Sequence, residues 1–138
     1  MEYLLDTNIC IYIIKKNPLI VFDKFRSLSI GSIGISTITL AELQFGIMKS
    51  SNPEKNQEAI DKFLTPLVIL DFDFNATIEY GKIRAYLEKK GTPIGPLDTL
   101  IAAHAKSQDL TLITNNVREF ERIPSLKIEN WTKQKTQP

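Results

Sequence analysis

Short apolar runs of strand length alternate along this chain with longer stretches of helical period, and that alternation limits its fold more than any other feature. Residues 2–5, 31–36, 67–73, 110–114 and 126–131 read as strands, the first of them short and buried. Between the first two, Ile9, Tyr12, Ile13 and Ile14 fall at helical spacing until Asn17-Pro18 breaks the pattern. Leu19, Phe22, Phe25, Arg26 and Leu28 mark a second short amphipathic helix over 18–28. Further helices are predicted over 37–49, from Pro53 to Phe63, over 75–90 and over 97–108, with a short one inside 115–123. Pro53 and Pro96 stand where a proline opens a helix, and Lys89-Lys90-Gly91 is a helix-closing signal. Strands interleaved with helices predict a parallel sheet covered on both faces. The expectation is an α/β chain: a small three-layer α/β/α domain with a short central parallel sheet over 1–132, then a polar tail at 133–138.

The totals remove some classes of function. A chain of 138 residues suits one domain with a real core. Seventeen Lys and Arg against sixteen Asp and Glu leave no net pull toward nucleic acid, so any such binding needs a local patch. Cys10 is the only cysteine, which excludes an internal disulfide and fits a reducing compartment. It falls among apolar residues and is expected to pack rather than react. No basic segment precedes the first apolar run, and no run approaches the ~18–20 apolar residues of a membrane span. The chain reads as soluble and cytoplasmic, with no signal peptide and no membrane partner.

The acidic residues carry the chemistry. Asp6 follows the first apolar run in "LLDTN", where it would cap a helix and also stand outside the carboxyl end of a strand, the place where open α/β sheets bind ligands. Glu42 lies in the second turn of its helix between apolar neighbours, Ile38, Ala41, Phe45 and Met48 forming one expected apolar face and Leu40, Leu43 and Ile47 extending it. Asp98 lies in a first helical turn and shares a face with Ile101, Ala102 and Ala105. Thr114, Asn115 and Asn116 leave another strand, with Glu119 three residues later as a capping-box partner. Each has an ordinary structural explanation alone: a cap, an exposed strip, a favourable helix-dipole position. Together they fall on one edge of a parallel sheet. Clustered carboxylates repel and raise one another's pKa, so three or four of them call for a cation. All-oxygen donors suit Mg²⁺, with Mn²⁺ possible, and no Cys/His pair stands at zinc spacing.

At these residues the chain resembles a known family. "LLDTN", the "ISxxTxxELxxG" pattern around Glu42, "GTPIGPLDTLIAAHA" around Asp98 and "LITNNxREFxRI" are similar to PIN domains, and more narrowly to the VapC toxins of bacterial toxin–antitoxin pairs. The four motifs occur in order and span Tyr3 to Trp131. The resemblance implies a Mg²⁺-dependent endoribonuclease held inactive by a VapB antitoxin, a homodimer or larger toxin–antitoxin assembly, and contact with DNA only through the antitoxin. It makes Asp6 and Asp98 the principal metal ligands, with Glu42 completing the acidic cluster. Asn116 stands where many members carry a further Asp, and Glu119 could supply the missing carboxylate. Thr7 is expected to orient Asp6 or a water at the metal. Members that share "GTPIGP" and the final motif suggest tRNA as substrate, initiator tRNA cut in the anticodon stem-loop.

The residues independently narrow the chemistry. His104, six residues after Asp98, points away from it and reads as structural, so a two-histidine ribonuclease is excluded. Metal-activated water is the remaining route, and in-line attack would leave a 5′-phosphate and a 3′-hydroxyl. Arg118, Lys15 and Lys49 are the expected RNA contacts, Arg118 foremost, with Lys16, Arg84, Lys89 and Lys90 as further cations. Two other readings use the same pocket. An aspartyl-phosphate phosphatase would need a second Asp two positions after Asp6, where Asn8 stands. A non-catalytic binding module would use the pocket for a nucleotide or a partner helix, but no GxxxxGK[ST] phosphate loop is present for a nucleotide.

Overall fold

The computed structural model describes residues 1–133. The expected tail lies outside the described residues except for Lys133. The chain runs β1 (Tyr3–Leu5), α1 (Thr7–Lys15), α2 (Leu19–Ser27), β2 (Ile33–Ser36), α3 (Thr37–Met48), α4 (Pro53–Leu64), β3 (Val68–Leu70), α5 (Phe74–Lys89), α6 (Pro96–Ser107), β4 (Thr111–Ile113), α7 (Val117–Phe120) and β5 (Ile128–Glu129). The five strands form one parallel sheet in the order β3-β2-β1-β4-β5.

Strand alternation splits the core between two faces. Leu5, Ile33, Ile35 and Ile113 point to one side, where they meet Ile9 and Ile13 of α1, Val21 of α2, Leu43 and Ile47 of α3, and Ile60 and Phe63 of α4. Leu4 and Leu112 point to the other, against Ile83 and Leu87 of α5, Ile101, Ala102 and Ala105 of α6, and Phe120 of α7. The result is the expected three-layer α/β/α arrangement. Cys10 is fully buried, as its apolar setting implied. No helix among the described residues is long and apolar enough to cross a membrane.

The helix ends follow local chemistry. Asn52 caps α4 ahead of Pro53, its side chain accepting from the Lys55 N–H at 3.2 Å. Asp73 caps α5 by accepting from the Ala76 N–H at 3.0 Å. This cap shortens the strand expected over 67–73: Asp71 to Asp73 leave the sheet to start α5, and β3 keeps only Val68–Leu70.

The apolar face expected on α3 is displaced: Leu43 and Ile47, expected only to extend it, are at its centre. Phe45 and Met48 are 66% and 74% exposed, and the buried face is Thr39, Leu43 and Ile47. Apolar residues nearly encircle this helix, so their spacing cannot say which side meets the core.

The order of strands positions everything that follows. From β1 the chain moves outward to β2 and β3, then returns across β1 to β4 and β5. Reversal of that kind opens a crevice beyond the carboxyl ends of the central strands, here β1 and β4.

Candidate active site

Asp6 leaves β1 at that crevice. Its backbone N–H donates to Ile113 O at 3.0 Å, extending the β1–β4 ladder by one bond. Its side chain is 5% exposed and caps α1, Oδ1 accepting from the Ile9 N–H at 3.0 Å. The helix-cap and site explanations of "DTN" therefore describe one geometry. Burial raises the Asp6 pKa and the nearby Glu42 charge adds to the rise, while the Thr114 hydroxyl and the N–H groups of Ile9 and Asn8 oppose it.

Thr114 directly follows β4 beside Asp6, and sequence reasoning noted its position without its part in the site. It is fully buried, and its hydroxyl accepts from the Asn116 N–H at 2.9 Å. One side chain thus holds the turn that carries Asn116 and faces the Asp6 carboxylate. The Asn115 amide donates to the Tyr12 hydroxyl at 3.0 Å and ties the same turn to α1. A threonine directly after a buried strand was the available signal.

Asp98 projects from the first turn of α6, close to the Gly95 backbone. It makes no hydrogen bond or ion pair among the described residues that would hold its charge. Burial, then the charges of Asp6, Glu119 and Glu42, push its pKa up to about 6. Those causes show that the sheet edge brings four sequence-predicted carboxylates into one field.

The other two are each held by a neighbour. The Thr7 hydroxyl donates to Glu42 Oε1 at 2.8 Å, so it steers Glu42 rather than the expected Asp6. The Asn116 amide donates to Glu119 Oε2 at 3.0 Å. Asn116 occupies the N-cap position of α7 but makes no side-chain cap bond, so the capping-box explanation does not describe this turn.

The expected RNA contacts divide into two grooves. Lys15 and Lys49 line a groove of about 370 Å³ with Ile11, Ile14 and Ile47, which reaches Thr7 and Glu42. Arg118 is on the other side, in a more polar groove with Asn115, Asn130 and Lys133. Arg84 is engaged elsewhere, donating to Glu88 at 3.0 Å and to the Tyr80 hydroxyl at 2.9 Å.

A divalent cation suits the donors present. They are all oxygen, and no Lys or Arg among the described residues pairs with any of the four carboxylates. Nor do three acidic, histidine or cysteine side chains among the described residues converge tightly enough to hold a metal alone. That looseness matches Mg²⁺, which retains several waters and takes one or two protein carboxylates beside substrate phosphates.

The PIN-domain family model matches residues 3–126. Ribonuclease VapC2 of Rickettsia felis is 49% identical over 134 residues, covering 96% of this chain and 100% of that protein. The tRNA(fMet)-specific endonuclease VapC of Salmonella typhimurium is 47% identical over 131 residues, covering 95% and 98% of the two chains. Among solved structures, VapBC2 from Rickettsia felis bound to a promoter DNA fragment superposes with a TM-score of 0.89 at 48% identity, covering 95% of this chain and 99% of that one.

Proposed function

This chain belongs to the PIN-domain family, and from that premise we propose that it is a divalent-metal-dependent endoribonuclease toxin of the VapC kind. The observation that carries the reading is the four-carboxylate field with no protein cation paired in it, which adds to burial in pushing Asp98 up to about 6. Asp6 and Asp98 are the principal ligands in this reading, with Glu42 and Glu119 at the margin, and Mg²⁺ is the favoured ion. A bound divalent ion would polarise the scissile phosphodiester and make hydroxide available near neutral pH.

The chain's own residues supply the rest. Asp6 is held rigid by the start of α1 and by Thr114. Thr7 keeps Glu42 turned toward the crevice and Asn116 holds Glu119. The His104 ring is bound to Ser36, so it takes no part in proton transfer to RNA.

The Salmonella relative named as a tRNA(fMet)-specific endonuclease supports tRNA as the substrate class, and a cut in the anticodon stem-loop is part of the proposal. The VapBC complexes support a VapB-type antitoxin as partner, with DNA reached through it. The groove between α1, α3 and α4 suits an apolar antitoxin segment whose basic residue reaches Glu42. Exposed Phe45, Met48 and Phe74 favour self-association into a homodimer. A cytoplasmic location accords with such partners.

The test is cleavage of a total tRNA pool by antitoxin-free protein in Mg²⁺, Mn²⁺ and EDTA, beside Asp6→Asn. Metal-dependent cuts with 5′-phosphate ends, lost in the variant, are expected. A folded preparation that cleaves nothing in either metal would instead favour a binding module.

A further inference from the structure

His104 is the chain's one histidine, and it is fully buried. Its Nδ1 lies 2.8 Å from Ser36 Oγ, also fully buried. Ser36 ends β2 and caps α3, its Oγ accepting from the Ile38 N–H at 3.1 Å. With one lone pair used, a relay gives the Ser36 proton an acceptor and leaves only the second ring nitrogen without a partner: Ile38 N–H to Ser36 Oγ, and Ser36 O–H to His104 Nδ1. The ring then carries its proton on Nε2. Phe72 closes the assembly, its ring edge-on to the imidazole at 5.5 Å and its N–H donating to Thr37 Oγ1 at 3.2 Å.

His104 Nε2 is buried with no hydrogen-bond partner among the described residues, and so is Thr39 Oγ1 of α3. A leucine or phenylalanine would fill the space without such an orphan. Packing alone is therefore a poor reason for a histidine here.

What the ring joins gives a better reason. His104 lies on α6, which carries Asp98, while Ser36 caps α3, which carries Glu42. We propose that His104 is a positioning residue: through Ser36 it locks the start of α3 to α6 and so sets the separation of Glu42 from Asp98. This rests on the nuclease reading for its consequence but not for its geometry.

Asparagine and glutamine at this position separate the two ring nitrogens. In His104→Asn the introduced amide oxygen would reach the place of Nδ1 and still accept from Ser36, whereas the longer side chain of His104→Gln would reach the place of Nε2. His104→Asn should keep kcat within roughly threefold, as for a hydrogen bond of changed quality. His104→Gln should lower kcat about tenfold with KM unchanged, inside the ~10²-fold reach of an ångström-scale misplacement. Ser36→Ala should lower kcat likewise and make the two His104 variants equal. If His104→Gln fails to fold, Ser36→Ala makes the comparison with the ring intact.

The ¹⁵N resonances of a single histidine give a readout without catalysis. They should show Nδ1 as an unprotonated acceptor, shifting on Ser36→Ala. Equal kcat per folded molecule for His104→Asn and His104→Gln, or a fully active Ser36→Ala protein, would overturn the proposal, as would a proton found on Nδ1. Absence of RNA cleavage by the wild-type chain would sink the nuclease reading instead, with the ring resonances still testing the link between His104 and Ser36.

Discussion

Asp6 and Asp98 carry the same group to the same crevice, and the more deeply buried of the two is the better accommodated. Asp6 is 5% exposed, yet it accepts from the Ile9 N–H and is faced by the Thr114 hydroxyl. Asp98 is only half-buried, yet its pKa is pushed up to about 6. Depth alone would predict the opposite order. Hydrogen bonds to the charged form offset desolvation at Asp6, while at Asp98 nothing offsets it and three other carboxylates add to it. Asp6 is a structural residue that the proposed site also uses. Asp98 is held at a cost that a proton or a bound cation would relieve.

The largest expected effect is one that should not separate the two. If both bind the ion, Asp6→Asn and Asp98→Asn each lower kcat/KM by ~10² to 10³-fold or more, the scale for losing a preorganised charge contact. Single-turnover cleavage in saturating Mg²⁺ checks this. A variant of either that kept near-wild-type turnover would remove that residue from the site.

Stability in chelator should then split them. Asp6→Ala loses a helix cap and is expected to destabilise the protein by about 0.5–2 kcal/mol. Asp98→Asn removes a repelled, unbonded charge and should stabilise it. A rise from 3.8 to about 6 corresponds to about 3 kcal/mol, reduced to ~1–2 kcal/mol for a group that solvent still screens. Urea unfolding at pH 7.5 in EDTA measures both, and a destabilised Asp98→Asn would break the comparison.

Much of this contrast was legible beforehand. Asp6, Glu42, Asp98, Asn116 and Glu119 were expected on one sheet edge because strand ends and following helix starts share it. Helix positions were readable from caps and periods, since Asp6, Ser36 and Pro96 act within a turn of themselves. What stayed hidden depends on partners distant in the chain. Thr7 turns to Glu42, 35 residues away, and Asn115 to Tyr12, 103 residues away. The core side of α3 was unreadable for a related reason: its sequence offers apolar residues on every side, and only packing against the sheet selects Thr39, Leu43 and Ile47.

The pH dependence follows from the direction of the Asp98 shift. Its folded pKa of about 6 lies above the unfolded value, so the native state binds a proton more tightly than the unfolded chain does. The cost of burial and repulsion acts fully well above pH 6 and is relieved as pH falls through 6 toward 4. Metal-free protein should therefore gain about 0.5–1 kcal/mol of stability between pH 7.5 and 5, allowing for solvent screening. Asp98→Asn should flatten this rise. Because Asp6 is the foremost charge acting on Asp98, Asp6→Asn should move the remaining titration to lower pH. Unfolding midpoints across that range in EDTA are the measurement. A wild-type profile that falls on acidification would mean that Asp98 is not the group in control.

The smallest expected effect tests why Asp6 escapes a similar fate. Thr114→Val keeps the shape of a buried side chain and removes its hydroxyl. Asp6 then loses one of the groups opposing its rise, and the Asn116 N–H loses its acceptor. The Asp6 pKa should move upward, read from its carboxyl ¹³C shift, and stability should fall by about 1 kcal/mol, the net scale of one hydrogen bond. Activity should drop only several-fold, because the Ile9 N–H still holds the carboxylate at 3.0 Å. If Asp6 titrates unchanged in this variant, its tolerance of burial comes from the α1 N-terminus alone, and the difference between the two aspartates reduces to which one sits on a helix cap.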